Sequence, residues 1–178
     1  MILSDIDISK KIDAGQIKIS PFDAANIGTN SYDVHLGDTL LVYDSYLLDA
    51  KKRNSTSSLV IPDEGIDLVP GTLYLGCTVE YTESLDCVPL LEGKSSVGRL
   101  GIRVHATAGF GDIGFKGHWT LEIDVIQPVR VHKGMPIAQL YWIQPVSQPV
   151  IPYNGKPFAK YVNQPGVPVA SKMYLNFK

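Results

Sequence analysis

Residues 92–123 read EGKSSVGRLGIRVHATAGFGDIGFKGHWTLEI, a stretch with seven glycines that ends in an apolar run where Trp119, Leu121 and Ile123 alternate with Thr120 and Glu122. Alternation with period two marks a strand that has one face in a core and the other free. Working outward, Leu59 to Ile61, Thr72 to Tyr81, Val88 to Leu91, His118 to Ile126 and Ile137 to Ile143 are further short β-rich runs. Pro70-Gly71, Gly93, Gly109 to Gly114 and Lys133-Gly134 separate them, so strands and turns recur at even spacing. That pattern predicts an all-β sandwich or barrel with one or two small helices.

The flanks add detail. Ser4 ahead of Asp5, Asp7, Ile8 and Ile12, with Gly15 at the close, predicts a capped N-terminal helix. Between Ser31 and Tyr43 the apolar Tyr32, Val34, Leu36, Leu40 and Val42 alternate with polar neighbours around Gly37-Asp38, which predicts a hairpin. Lys51 to Ser58 has no periodicity and predicts an exposed loop. From Gln144 onward six prolines predict an extended tail, residues 144–178, and residues 1–178 form a single domain with no internal repeat.

Composition narrows the function. The chain has 178 residues, 44% of them hydrophobic, enough for one compact core. A net charge of −2 without long charged runs argues against nucleic-acid capture. Cys77 and Cys87 are too few for a disulfide scaffold, and no stretch is long and apolar enough to span a bilayer. The expectation is a soluble, cytoplasmic protein that binds neither nucleic acid nor membrane.

Within the glycine-rich stretch, Gly93-Lys94-Ser95-Ser96 followed by Val97, Arg99 and Leu100 reads as a turn opening a short helix, with Ser95 or Ser96 as its N-cap. Its free N–H groups, two hydroxyls and Lys94 could cradle phosphate, although the P-loop spacing is absent and an ordinary capped helix has the same pattern. Asp112 sits in a glycine turn where a ligand can come close to backbone, and Glu122 lies on the strand face opposite Trp119.

G-K-S-S-V-G-R-L-G at Gly93 to Gly101 and H-A-T-A-G-F-G-D-I-G-F-K-G-H-W-T-L-E at His105 to Glu122 together resemble the dCTP deaminase branch of the dUTPase-like superfamily. S-Y-D-V-H-L-G at Ser31 to Gly37, G-M-P-I-A-Q-L at Gly134 to Leu140 and A-K-Y-V-N-Q at Ala159 to Gln164 extend the match in family order. The resemblance implies a distorted jelly-roll and a homotrimer with active sites at subunit interfaces. The G-K-S-S-x-G-R segment of one subunit would face the Asp112 and Glu122 segments of another, and the tail would close the pocket.

Roles follow from the same resemblance. Glu122 is the acid/base, Ser95 and the carbonyl of Ala106 hold the attacking water, and Arg99 orients Glu122 or stabilises developing charge. Lys94, Ser96, Lys160 and Gln164 would bind the triphosphate, with Tyr153 another contact of that region. Asp112 would accept the 3′-hydroxyl, and Phe115 would pack on the deoxyribose. Mg²⁺ would be carried by the nucleotide. No zinc is expected, because the H-x-E and P-C-x-x-C signature is missing. His105 and His118 are read as structural or supporting residues.

Two departures stand out. The family has I-D-P-G where this chain has Gly111-Asp112-Ile113-Gly114, which removes a proline's rigidity and adds a glycine's freedom, and Asp124 has no counterpart role. Three functions remain open on the sequence. The first is a dCTP deaminase making dUTP, which continues to dUMP and pyrophosphate if the T-A-G at Thr107 to Gly109 and the ending S-K-M-Y-L-N-F-K follow the bifunctional members. The second is a dUTPase on the same fold, and the third a nucleotide-binding regulator without turnover.

Overall fold

The computed structural model describes residues 1–106 and 108–177, so Thr107 of the T-A-G signal and the terminal Lys178 lie outside the described residues. In chain order the elements are α1 (Asp5–Asp13), β1 (Ile17–Ser20), β2 (Tyr32–His35), β3 (Thr39–Tyr43), β4 (Thr56–Val60), β5 (Ile66–Leu68), β6 (Tyr74–Ser84), β7 (Val88–Gly93), α2 (Ser95–Gly98), β8 (Ile102–Arg103), β9 (Lys116–Val125), β10 (Val129–Val131) and β11 (Pro136–Ile143). Short 3₁₀ turns at Ala24–Asn26, Tyr153–Gly155 and Met173–Phe177 complete them. The chain is therefore mostly β with two helices, as expected.

Helix α1 starts where the capping residue allows it, with the Ser4 hydroxyl accepting from the Asp7 N–H at 3.4 Å. It packs through Ile8, fully buried, and is tied down by Lys11, whose ammonium lies 2.7 Å from Asp86. Burial works against the charge on Lys11, but the Asp86 carboxylate outweighs it and holds the lysine above its ordinary pKa.

Strand β6 organises the larger sheet, whose order is β4-β3-β6-β9-β8 with β1 also on β6. Strand β9 takes one edge of β6, while β3 and β1 share the other, pairing at Tyr74 to Leu75 and at Tyr81 to Ser84. Its β9 pairing shifts register between Cys77 and Tyr81. At this bulge Thr78 accepts the Trp119 N–H at 2.9 Å, and Glu80, 3% exposed, holds His35 through both its backbone N–H and its ring. A second sheet runs β2-β11-β7, and β5 pairs with β10. The sheets do not close into a barrel. Leu36, Leu40, Leu91, Leu121 and Trp142 fill the space between them.

Three expectations need correction. Strands β2 and β3 are not a hairpin: at Gly37 the chain crosses from one sheet to the other, where Leu36 donates to Met135 O and Gly37 to Cys77 O. The loop at Lys51 to Ser58 ends early, since β4 begins at Thr56 and is paired along β3. The cap of α2 is Lys94, with no side-chain cap bond, and Ser95 and Ser96 are its first helical residues. Among the described residues no helix is long and apolar enough to cross a membrane.

Both cysteines are free and buried, and burial pushes each thiol up to about 12. Neither should react with a thiol-specific chromogenic disulfide at pH 8 until the protein is unfolded, when two thiols should appear. Rapid labelling of the native chain would contradict this packing.

Candidate active site

Strand β9 buries alternate residues along its whole length, so Trp119, Leu121 and Ile123 enter the core and Thr120 and Glu122 face outward. Above that outer face lies a cleft of about 450 Å³. Its walls mix Leu73, Leu75 and Val169 with the aromatic rings of Tyr43, Phe115, Tyr153 and Tyr161. Glu122 is 30% exposed and its Oε2 stands 2.7 Å from Nδ1 of His105, a ring only 8% exposed. Nε2 of that imidazole is buried without a partner among the described residues. A carboxylate so held is positioned to exchange a proton with something in the cleft.

The glycine turn that holds Asp112 forms by local rules. Phe115 N–H donates to Asp112 O at 3.0 Å, and Gly114, at φ 89°, occupies the turn position that demands left-handed backbone. Ile113 stands where a type II turn favours proline. It is anchored instead by burial and by its carbonyl, which accepts from Tyr153 N–H at 2.8 Å. The turn thus aims exposed Asp112 into the cleft beside Phe115.

The tail lies over the same face. Asn163 N–H donates to Lys116 O at 2.7 Å and His118 N–H to Gln164 O at 3.2 Å, which extends β9 at its edge. Thr120 then acts as a clasp, donating to Gln164 Oε1 at 2.9 Å while accepting from Val169 N–H at 3.1 Å. Ser171 N–H reaches the Tyr43 hydroxyl, and Lys172 reaches the Tyr161 hydroxyl and the Lys160 carbonyl.

Of the residues expected at the site, Glu122, Asp112, Phe115, Tyr153 and Gln164 all line this cleft. Ala106 does not. It borders an adjoining hollow that shares Glu122 and His105, while Ala108 lines the cleft itself. Lys160 is half-buried, and its carbonyl accepts from Lys172 Nζ at 2.6 Å. Lys94 is ion-paired with Asp33. Ser95 and Ser96 on α2 and Arg99 at its C-cap are exposed, outside the lining of the cleft, and among the described residues their side chains have no hydrogen-bond partner. Within one chain, then, the α2 group and the Glu122 group do not meet. Asp124 has a plain role, as a cross-strand ion pair with Arg103 of β8.

Sequence reasoning missed His105 as the partner of Glu122, and Thr120 and Tyr161 as the elements that seat the tail. No period links position 105 to 122: His105 follows β8, and the glycine turn around Asp112 and the first half of β9 separate it from Glu122. Among the described residues no three His, Cys, Asp or Glu side chains converge as a metal cage.

Residues 2–144 match the family model described as dCTP deaminase-like. A protein of Clostridium acetobutylicum named "dCTP deaminase, dUMP-forming" is 48% identical over 177 residues, 99% of each chain. One of Cytophaga hutchinsonii with the same name is 53% identical over 142 residues, 80% of this chain and 82% of the relative. Among solved structures, 2′-deoxycytidine 5′-triphosphate deaminase from Agrobacterium tumefaciens superposes with a TM-score of 0.65 at 20% identity over 81% of this chain, which spans about half (48%) of that one. That likeness speaks to the fold.

Thr120→Val should loosen the tail without disturbing the core. Limited proteolysis should then cut within residues 144–177 about three- to tenfold faster, with little change in melting temperature. An unchanged cutting rate would show that Thr120 is not the clasp.

Proposed function

We propose, from the premise that this chain belongs to the dCTP deaminase-like family, that it deaminates dCTP and goes on to hydrolyse the product to dUMP and pyrophosphate. The observation that carries the reading is the Glu122–His105 pair, set in a cleft that also holds Asp112 and Phe115. The names of the relatives from C. acetobutylicum and C. hutchinsonii support the second step.

In this reading water adds to C4 of the cytosine. Glu122 takes the proton from that water and delivers it to N3, then takes the proton of the new C4 hydroxyl and passes it to the 4-amino group, so that the C4–N bond breaks, ammonia leaves and the C4 carbonyl forms. His105 fixes which carboxylate oxygen faces the ring. The backbone carbonyl of Ala106 accepts a hydrogen bond from the water. Phe115 packs on the deoxyribose and Asp112 accepts its 3′-hydroxyl. In the second step Asp112 also places the water that attacks the α-phosphorus, releasing pyrophosphate.

Ser95 and Arg99 would come from a neighbouring copy, in a homotrimer whose sites lie between subunits. Their exposure and lack of side-chain partners support this. Lys94, Ser96, Lys160 and Gln164 would meet the triphosphate, Lys94 exchanging Asp33 for phosphate oxygens. Mg²⁺ would be held by the phosphates rather than by a protein cage, which suits a cleft whose acidic side chains are Asp112 and Glu122. We expect no role for zinc.

Glu122→Gln keeps the shape and loses the base. Ammonia release from dCTP should fall by about 10²- to 10⁴-fold with the dissociation constant for dCTP within about threefold of the parent. Parental turnover in the variant would refute the assignment. A chain ending at Ala159 lacks Tyr161, Gln164 and Val169, so its KM for dCTP should rise by about tenfold or more while the core stays folded. An unfolded product would show that the tail is part of the core.

A further inference from the structure

Trp119 occupies a place that no other side chain in the cleft shares. It belongs to the buried face of β9, 5% exposed, yet its ring reaches up beneath the sugar-loop turn and lines the cleft. The indole Nε1–H donates to Thr82 Oγ1 at 2.9 Å, which fixes the ring plane from below. Above, the Phe115 ring rests on it, with centroids 4.5 Å apart and planes at 39°. At its far edge, a Cβ built on Gly111 would stand 2.5 Å from Trp119 Cη2 and 2.9 Å from both Cγ and the carbonyl oxygen of Pro89.

Gly111 therefore has a use different from the one its sequence suggests. Its φ lies outside the left-handed range, so the backbone does not require glycine. Its N–H is already bonded to Pro89 O at 2.9 Å, and the neighbouring Leu91 N–H to Gly109 O at 2.8 Å, so the segment is held along β7 rather than free. What requires glycine is space for the indole. The expected gain in freedom is corrected: the notch at Gly111 is filled by Trp119, and the turn that lacks a proline is braced by an aromatic wedge.

From this we infer that Trp119, seated in the Gly111 notch, is a positioning residue that sets the height of Phe115 and so excludes a 2′-hydroxyl from the sugar end of the cleft. The inference rests on the proposed function, in which Phe115 packs on the deoxyribose. The physical reason is packing. A shorter side chain at 119 leaves a void directly under the Phe115 ring, the ring sinks into it, and room for one hydroxyl opens beside the sugar. An apolar wall discriminates against an added hydroxyl by about 10²-fold at most, so a modest shift of the ring removes a large part of the selectivity.

Three variants of the full chain test it: Trp119→Leu, which creates the void; Trp119→Phe, which keeps a ring but loses its reach to Gly111 and its bond to Thr82; and Thr82→Val, which leaves both rings in place and removes the hydroxyl that accepts from the indole, along with its long 3.5 Å bond to Gly117 O. Thr82 does not line the cleft. Each is assayed for kcat/KM on dCTP and on CTP, with melting temperature as a control for folding. The ratio of dCTP to CTP should fall about tenfold in Trp119→Leu, with KM for dCTP rising more than kcat falls, and about two- to fivefold in the other two. A ratio unchanged in Trp119→Phe and Thr82→Val, whatever their melting temperatures, would overturn the positioning role and leave the proposed function standing. A parent chain that turns over neither dCTP nor dUTP would overturn the proposed function and this inference with it.

Discussion

The ladder between β6 and β9 is the constraint on which the rest depends. Strand β6 is paired along both edges, so β9 can neither slide nor turn without disturbing β1 and β3 as well. Because side chains alternate, that fixed register decides two things at once: Leu121 and Ile123 are fully buried, and Glu122 faces the cleft. A slip of one residue would bury the carboxylate and expose the core. The bulge at Cys77 to Tyr81 adjusts the ladder opposite Trp119, where Thr78 satisfies the backbone N–H that a regular partner would have met. Chemistry at Glu122 is thus a property of the sheet as much as of the residue.

The same strand recruits the tail. Its free edge at Lys116 to His118 accepts the chain at Asn163 and Gln164, and the Thr120 hydroxyl holds both Gln164 and Val169. These bonds come from the backbone edge of β9 and from one side chain of its outer face, so one strand supplies the core packing, the Glu122 carboxylate and the seat of the covering segment. The cluster around Glu83 shows the balance of forces near that seat. Burial would raise its pKa, but Lys116, Tyr81 and Lys18 outweigh burial and hold it below the ordinary range.

Much of this was legible in the sequence where the signal was local. The alternation through Trp119 to Ile123, the Ser4 cap and the glycines around Asp112 each act over a few residues, and strand, helix and turn followed. What could not be read depended on chain crossings. Tyr32 to Tyr43 has the alternation of a hairpin, yet at Gly37 its halves part to different sheets, held there by backbone bonds to Met135 and Cys77, residues about 40 to 100 positions further along the chain. His105 meets Glu122 only because β8 returns beside β9. Gly111 seemed a source of freedom because its filler, Trp119, lies eight positions away and reaches it through the core.

The arrangement of α2 carries the account's central claim. Ser95, at the start of the four-residue helix, and Arg99, at its C-cap, are exposed, while Glu122 lines a cleft that neither of them borders. The most direct measurement mixes two variants, Arg99→Ala and Glu122→Gln, each inactive by itself, under conditions that let subunits exchange. If sites are shared between neighbours in a trimer, random mixing at equal amounts pairs an intact Arg99 with an intact Glu122 in about a quarter of sites, and deaminase activity should return to roughly that fraction of the parent. Activity that stays at the level of the separate variants after exchange is verified would contradict the shared site.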